Sequence, residues 1–194
     1  MKNLLLLFFV CCSYLLVAQN KIPSKESQIA TAIIAAPDMY KEEAKVIGYN
    51  SDGELVTLRE GNNGLICLAD DPNVEGISVA CYSDKLEPFM ARGRELTAEG
   101  RAKEKQDIRK KEIDDGTIIM PEEPAIVYVV SADESDYDIQ TGALNDYHIR
   151  YVFYKPYMTV EETGLPDKPA GPGAPWLMDA GTHRSHIMIT PPRE

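Results

Sequence analysis

Leu55 to Asp84, LVTLREGNNGLICLADDPNVEGISVACYSD, is the stretch whose reading decides the fold. Leu55, Thr57 and Arg59 alternate with Val56 and Leu58, the period-two pattern of a strand. Gly61-Asn62-Asn63-Gly64 supplies turn residues that tolerate positive φ. Leu65 to Ala69 is a short apolar run suited to a buried strand, and Asp70-Asp71-Pro72-Asn73 breaks it. Ile77, Val79 and Cys81 then share one face of a further strand, opposite Ser78, Ala80 and Tyr82. The stretch reads as strand, tight turn, strand, loop, strand. If the last two strands pair antiparallel, Cys67 and Cys81 stand opposite each other, and a bridge would close a loop of about 15 residues. Two free buried thiols, or one reactive thiol, are the alternatives.

Before this stretch, residues 1–18 carry a Lys2 start, an uncharged apolar run from Leu4 to Val17, and Ala18 ahead of Gln19. That is the pattern of a secretory signal peptide, too short for a membrane span. Cys11 and Cys12 fall inside it, and the residues preceding them, Val10 and Cys11, are not the small residues that lipoprotein processing uses. Export leaves residues 19–194 as one domain, periplasmic or extracellular, where a disulfide persists. Ser24 to Ala36 is expected to be a helix capped by Ser24, with an apolar stripe of Ile29, Ile33 and Ile34. Lys45 to Tyr49 is a strand leading through Ser51-Asp52-Gly53 into the central sheet.

Lys85 to Asp115 is the main helical region, with Leu86, Phe89, Met90 and Leu96 on its apolar face and Gly93 and Gly100 as points of weakness. Its second half is charged in both signs and reads as a solvated helix, with Glu99–Lys103 and Asp107–Lys111 as paired neighbours. Ala125 to Val130 and Tyr147 to Tyr154 are strands, the latter with Tyr147, Ile149, Tyr151 and Phe153 on one face. Tyr147 and Tyr151 are expected in the core. Gly164 to Pro175 is a loop, and His186 to Thr190 a last strand with Ile187 and Ile189 inward. The fold class expected is α+β: an antiparallel sheet of about five to seven strands, one long helical segment and a short N-terminal helix.

Three segments, LVTLREGNNGLICLADDP, ACYSDKLEPFMARGREL and GAPWLMDAGTHRSHIMITPP, resemble an uncharacterised family of exported bacterial proteins. The resemblance covers most of the chain after the signal segment. It implies export and a disulfide-compatible domain, and it brings no activity or catalytic residue.

The net charge of −11, with no basic stripe, argues against nucleic acid and against an anionic membrane surface as partners. Nor does the remaining sequence hold a segment for stable membrane insertion after signal cleavage. His183 and His186, with His148 as a third ligand, are the candidate zinc set. On a strand, a spacing of three turns His183 and His186 to opposite faces, so a turn at Arg184-Ser185 would have to reunite them. Ser185 beside His186 is half of a nucleophilic dyad, without a Gly-x-Ser-x-Gly elbow. The acidic run Asp133 to Asp138 is a candidate calcium loop but lacks the ligand spacing of the helix–loop–helix site. Tyr154, Tyr157 and Trp176, near Pro-rich loops, are candidates for a ligand surface. No dinucleotide, phosphate-loop or haem motif is present in the sequence. The expectation is therefore a non-enzymatic binding or interaction protein of the bacterial envelope, with an unknown protein or small molecule as partner and no cofactor. The alternative is a metal-dependent hydrolase using His183 and His186.

Overall fold

The computed structural model describes residues 22–193; the signal segment expected at residues 1–18 lies outside them. Ten strands and four α-helices follow in chain order. α1 (Lys25–Ala32) continues into a 3-10 turn, Ile33–Ala35, and leads to β1 (Lys45–Tyr49), β2 (Leu55–Arg59), β3 (Leu65–Leu68) and β4 (Ile77–Ser83). Next come α2 (Glu87–Ala98), α3 (Lys105–Asp114) and β5 (Ala125–Ala132), then the short ribbon β6 (Tyr137–Asp138) and β7 (Ala143–Leu144). β8 (His148–Tyr154), α4 (Val160–Thr163), β9 (Trp176–Met178) and β10 (His186–Ile189) complete the chain.

The main sheet has eight strands in the order β2-β1-β3-β4-β5-β8-β10-β9. This α+β arrangement corrects the expected sheet in two ways. It is larger than five to seven strands, and it is mixed, because β1 runs parallel to β3 while every other neighbour is antiparallel. The turn at Gly61–Gly64 therefore does not close a hairpin between β2 and β3. It carries the chain past β1, where Asn62 N–H donates to Glu43 O at 3.0 Å. The long helical segment is also two helices. The chain breaks at Gly100, whose φ of +75° is a conformation glycine adopts without a Cβ penalty.

Two cores lie on opposite faces of the sheet. On one, α1 and its 3-10 extension bury Ala32, Ala35, Val46, Cys67, Val79, Cys81 and Val130. Ser24 caps α1 as expected, its hydroxyl accepting from Ser27 N–H at 3.1 Å. The buried side of the helix is small and polar, however: Ser27, Gln28, Thr31 and Ala32 are buried, whereas Ile29, Ile33 and Ile34 are only half-buried. The reason is the hydrogen bonds these polar groups make. Gln28 binds the Tyr49 backbone through both ends of its amide, at 2.8 Å each way, and Ser27 and Thr31 hold the β6–β7 ribbon through Ile139 O and Gly142 O. On the other face Leu86, in the 3-10 turn that leads into α2, joins Ile47, Ile66, Tyr82, Val127 and Val152.

Cys67 and Cys81 are directly opposed in the β3–β4 register, 4.0 Å apart at Cα, and are joined by a disulfide. Both are fully buried under α1, so the bridge ties the two central strands together inside the core.

Candidate functional site

Tyr147 and Tyr151 are expected in the core. The structure packs the other side of β8 more fully, and on their own side the α1-side core reaches only Ile149. Val152 is buried, whereas Ile149, Tyr151 and Phe153 are half-buried and Tyr147 is exposed. The same asymmetry holds on β10: His186 is buried on the face shared with α2, and Ile187 and Ile189, expected inward, stand on the opposite face. The physical cause is α1. Its eight residues and the 3-10 turn lie over β1, β2, β4 and β5 and do not extend across the far half of the sheet.

Two cross-strand rows result, Ile126–Phe153–Ile187 and Tyr128–Tyr151–Ile189, with Ile149 beside them. All seven side chains are half-buried. Tyr128 and Ile149 lean on the α1-side core, while the other five belong to neither core. Tyr128 and Tyr151 meet edge to face with ring centroids 6.1 Å apart, which fixes the centre of the surface. A solvated sheet face normally carries polar side chains, and a contiguous apolar one marks a place of association.

A cleft of about 550 Å³ lies at the α1 end, among Gln28, Asp70, Val74, Glu75, Glu134 and Tyr137. Asp70 accepts from Ser78 N–H at 2.7 Å, yet burial, with Asp71 and Glu134 nearby, pushes its carboxyl up to about 6. Burial and the neighbouring Asp71 push the Tyr49 phenol up to about 12. Of the carboxylates in the acidic run from Asp133, only Glu134 lines the cleft, and it accepts from Gly76 N–H at 3.3 Å.

The three histidines are not brought together. His148 pairs with Ser131 at one end of β8, and His186 pairs with Tyr154 at the other, about 20 Å away at strand rise. His148 Nδ1 accepts from Arg193 at 3.1 Å. His186 donates from Nδ1 to Arg184 O at 2.7 Å and stacks on Tyr154, ring centroids 4.6 Å apart. His183 is buried with neither ring nitrogen hydrogen-bonded. Burial holds both His183 and His186 below the usual imidazole range. Among the described residues no group of three His, Cys, Asp or Glu side chains is placed to hold a metal ion, zinc or calcium. The Ser185–His186 dyad does not form either. The Ser185 hydroxyl donates to Lys155 O at 2.5 Å and accepts from Met158 N–H at 2.9 Å, so it serves as a fully buried bracket between two loops.

The expected ligand surface of Tyr154, Tyr157 and Trp176 is likewise dispersed. Tyr154 is covered by His186 and Phe89 on the α2 side. Tyr157 is exposed, and its hydroxyl donates to Asp114 at 2.8 Å. Trp176 is half-buried on edge strand β9, opposite Met188. The charged helix pairs also differ from those expected. Arg92 binds Glu112 across α2 and α3 at 2.9 Å, Arg94 binds Glu87 at 2.7 Å, and Lys110 binds Asp114 at 2.5 Å.

Sequence reasoning missed Arg109. It sits in the helix expected to be solvated, yet it is buried, its guanidinium 3.7 Å over the Phe89 ring. The one available signal was Gly93: a Cβ there would stand 2.8 Å from Arg109 Nη1, so the glycine makes room for the side chain.

The chain matches no protein-family model, no curated protein and no solved structure. No helix among the described residues is long and apolar enough to cross a membrane.

Proposed function

We propose that this is an exported, non-enzymatic binding protein of the bacterial envelope, which holds a partner against the open half of its sheet. The observation that carries this reading is the pair of apolar rows on β5, β8 and β10, whose side chains remain half-buried where the opposite face of the same strands is packed. An apolar surface of this kind gains free energy when covered, at about 25 cal/mol per Å² removed from water. The buried Cys67–Cys81 bridge supports a working place outside the reducing cytoplasm. The signal-like residues 1–18 and the resemblance to exported bacterial proteins point the same way.

A photo-crosslinking residue in place of Tyr151 tests this in the exported fraction of the producing cell. The expected result is a discrete adduct that disappears with Ile187→Asp and does not form when the crosslinker replaces exposed Lys168. Absence of any adduct, or equal adducts at both positions, would overturn the assignment of this face.

A further inference from the structure

Beyond the open face, on the side covered by α2 and α3, Arg109 is a buried guanidinium whose partners are all neutral. Nη1 donates to Phe89 O at 3.1 Å, Nη2 donates to Gln106 Oε1 at 2.7 Å, and the plane lies over the Phe89 ring. Its Nε has no hydrogen-bond partner. His183 meets the same Phe89 ring edge-on at 6.3 Å, and both of its nitrogens are unpartnered. Arg109 and His183 are each only 6% exposed. Three nitrogens of one cluster are thus withdrawn from water with nothing to bond.

The charge around them is unbalanced as well. Arg184 and Lys105 both act on this cluster, and Arg184 has Asp179 as its counter-charge. Neither Arg109 nor Lys105 has a carboxylate within salt-bridge distance among the described residues. Nearby Lys110 and Asp114 pair with each other. Buried charges are ordinarily paired, and a group of unsatisfied buried donors calls for a partner, an ion or water.

We propose that Arg109, His183 and Arg184, with Lys105 at the rim, form a binding site for a small tetrahedral oxyanion such as inorganic phosphate or sulfate. The anion would accept from Arg109 Nε–H and from the His183 ring, and it would balance the two cations that lack carboxylates. Guanidinium groups suit this role because their fork of donors matches oxyanion geometry. Arg109 and His183 are buried while Arg184 and Lys105 are half-exposed, so the anion would enter from the side of Arg184 and Lys105, beside the segment from Asp179 to Ser185. That segment and its neighbour Tyr157 include the two non-glycine residues with positive φ among those described, Asp179 at 54° and Tyr157 at 63°. The segment is tied down by Tyr157 N–H to Thr182 O at 2.8 Å and by Gly181 N–H to Met158 O at 2.7 Å. Such backbone is held in place by its surroundings and recurs at ligand clamps.

Titration of the whole exported domain with inorganic phosphate, and separately with sulfate, tests the site by NMR of the arginine Nε–H and histidine ring signals. The expected result is a saturable shift of the Arg109 and His183 signals with at least one of the two anions. Arg184→Gln, half-exposed and able to fold, should weaken binding about tenfold. Arg109→Met should abolish it, and Lys25→Gln on exposed α1, across the sheet from the cluster, should leave it unchanged. If Arg109 and His183 give no response to either anion in the millimolar range, the orphaned nitrogens belong to water and the proposal falls. An Arg184→Gln protein that binds as tightly as the parent would overturn it too.

Discussion

Replacing both Cys67 and Cys81 by alanine should lower the unfolding free energy by about 3 kcal/mol. The two cysteines are 14 residues apart, and a covalent loop of that size removes about this much chain entropy from the unfolded state. The ladder itself is kept, because β3 and β4 remain paired at Leu65, Ile66 and Leu68. The loop-closure contribution acts on the unfolded ensemble, and the loss of two buried sulfurs from the core adds to it. For a domain of this size a urea slope of about 2 kcal/mol per molar is expected, so the midpoint should fall by about 1.5 M with little change in slope. Urea unfolding by circular dichroism, with parent and variant in parallel, measures both quantities. A midpoint within about 0.3 M of the parent would refute the loop-entropy reasoning. A native protein whose disulfide is reduced by dithiothreitol much faster than it unfolds would refute the placement of the bridge in the core, because both sulfurs are sealed under α1.

Other expectations follow from single sites. Asp70→Asn keeps an acceptor for Ser78 N–H and removes a carboxyl whose folded pKa, about 6, lies above its unfolded value. The native state favours its protonated form, so stability is lost as pH rises from the unfolded value of 3.8 through about 6, where the cost is complete. The substitution should thus stabilise by about 1 kcal/mol at pH 8 and have little effect below pH 4, checked by thermal melts across that range. His183 and His186 have folded pKa values below the unfolded 6.5. Their neutral forms are favoured in the native state, so stability is full above pH 6.5 and declines as pH falls below it. His183→Leu should flatten part of that decline, and an unchanged acid limb would contradict the burial of the ring. Gly61→Ala places a Cβ 2.2 Å from Lys45 N, where only backbone can yield, and should cost about 1–3 kcal/mol by denaturant titration. Tyr151→Glu removes the edge-to-face contact with Tyr128 and should cost about 1–2 kcal/mol. A much larger loss would show that the face is packed as a core.

Local pattern determined much of this protein. The period-two runs located β2, β4 and β8, the Ser24 cap began α1, and the odd-numbered face shared by Val79 and Cys81 set Cys67 against Cys81 once β3 and β4 paired. These features depend on neighbours in the chain, which a sequence displays. Partner choice among strands does not. Whether β3 joins β2 or β1 rests on a backbone path around Gly61, and that path made a parallel pair out of what reads as a hairpin. Facing is equally non-local. Alternation on β8 and β10 shows that two faces differ, but the short α1 decides how much of the sheet it covers, so Tyr151, Ile187 and Ile189 are half-buried and not core. Arg109 is the sharpest instance. A charged residue in a charged helix reads as solvated, and only the packing of α3 against Phe89 and Gly93, with His183 brought from the other end of the chain, buries it. Sequence carries composition and period; the position of one element over another is a property of the packed chain, and both candidate sites arise from it.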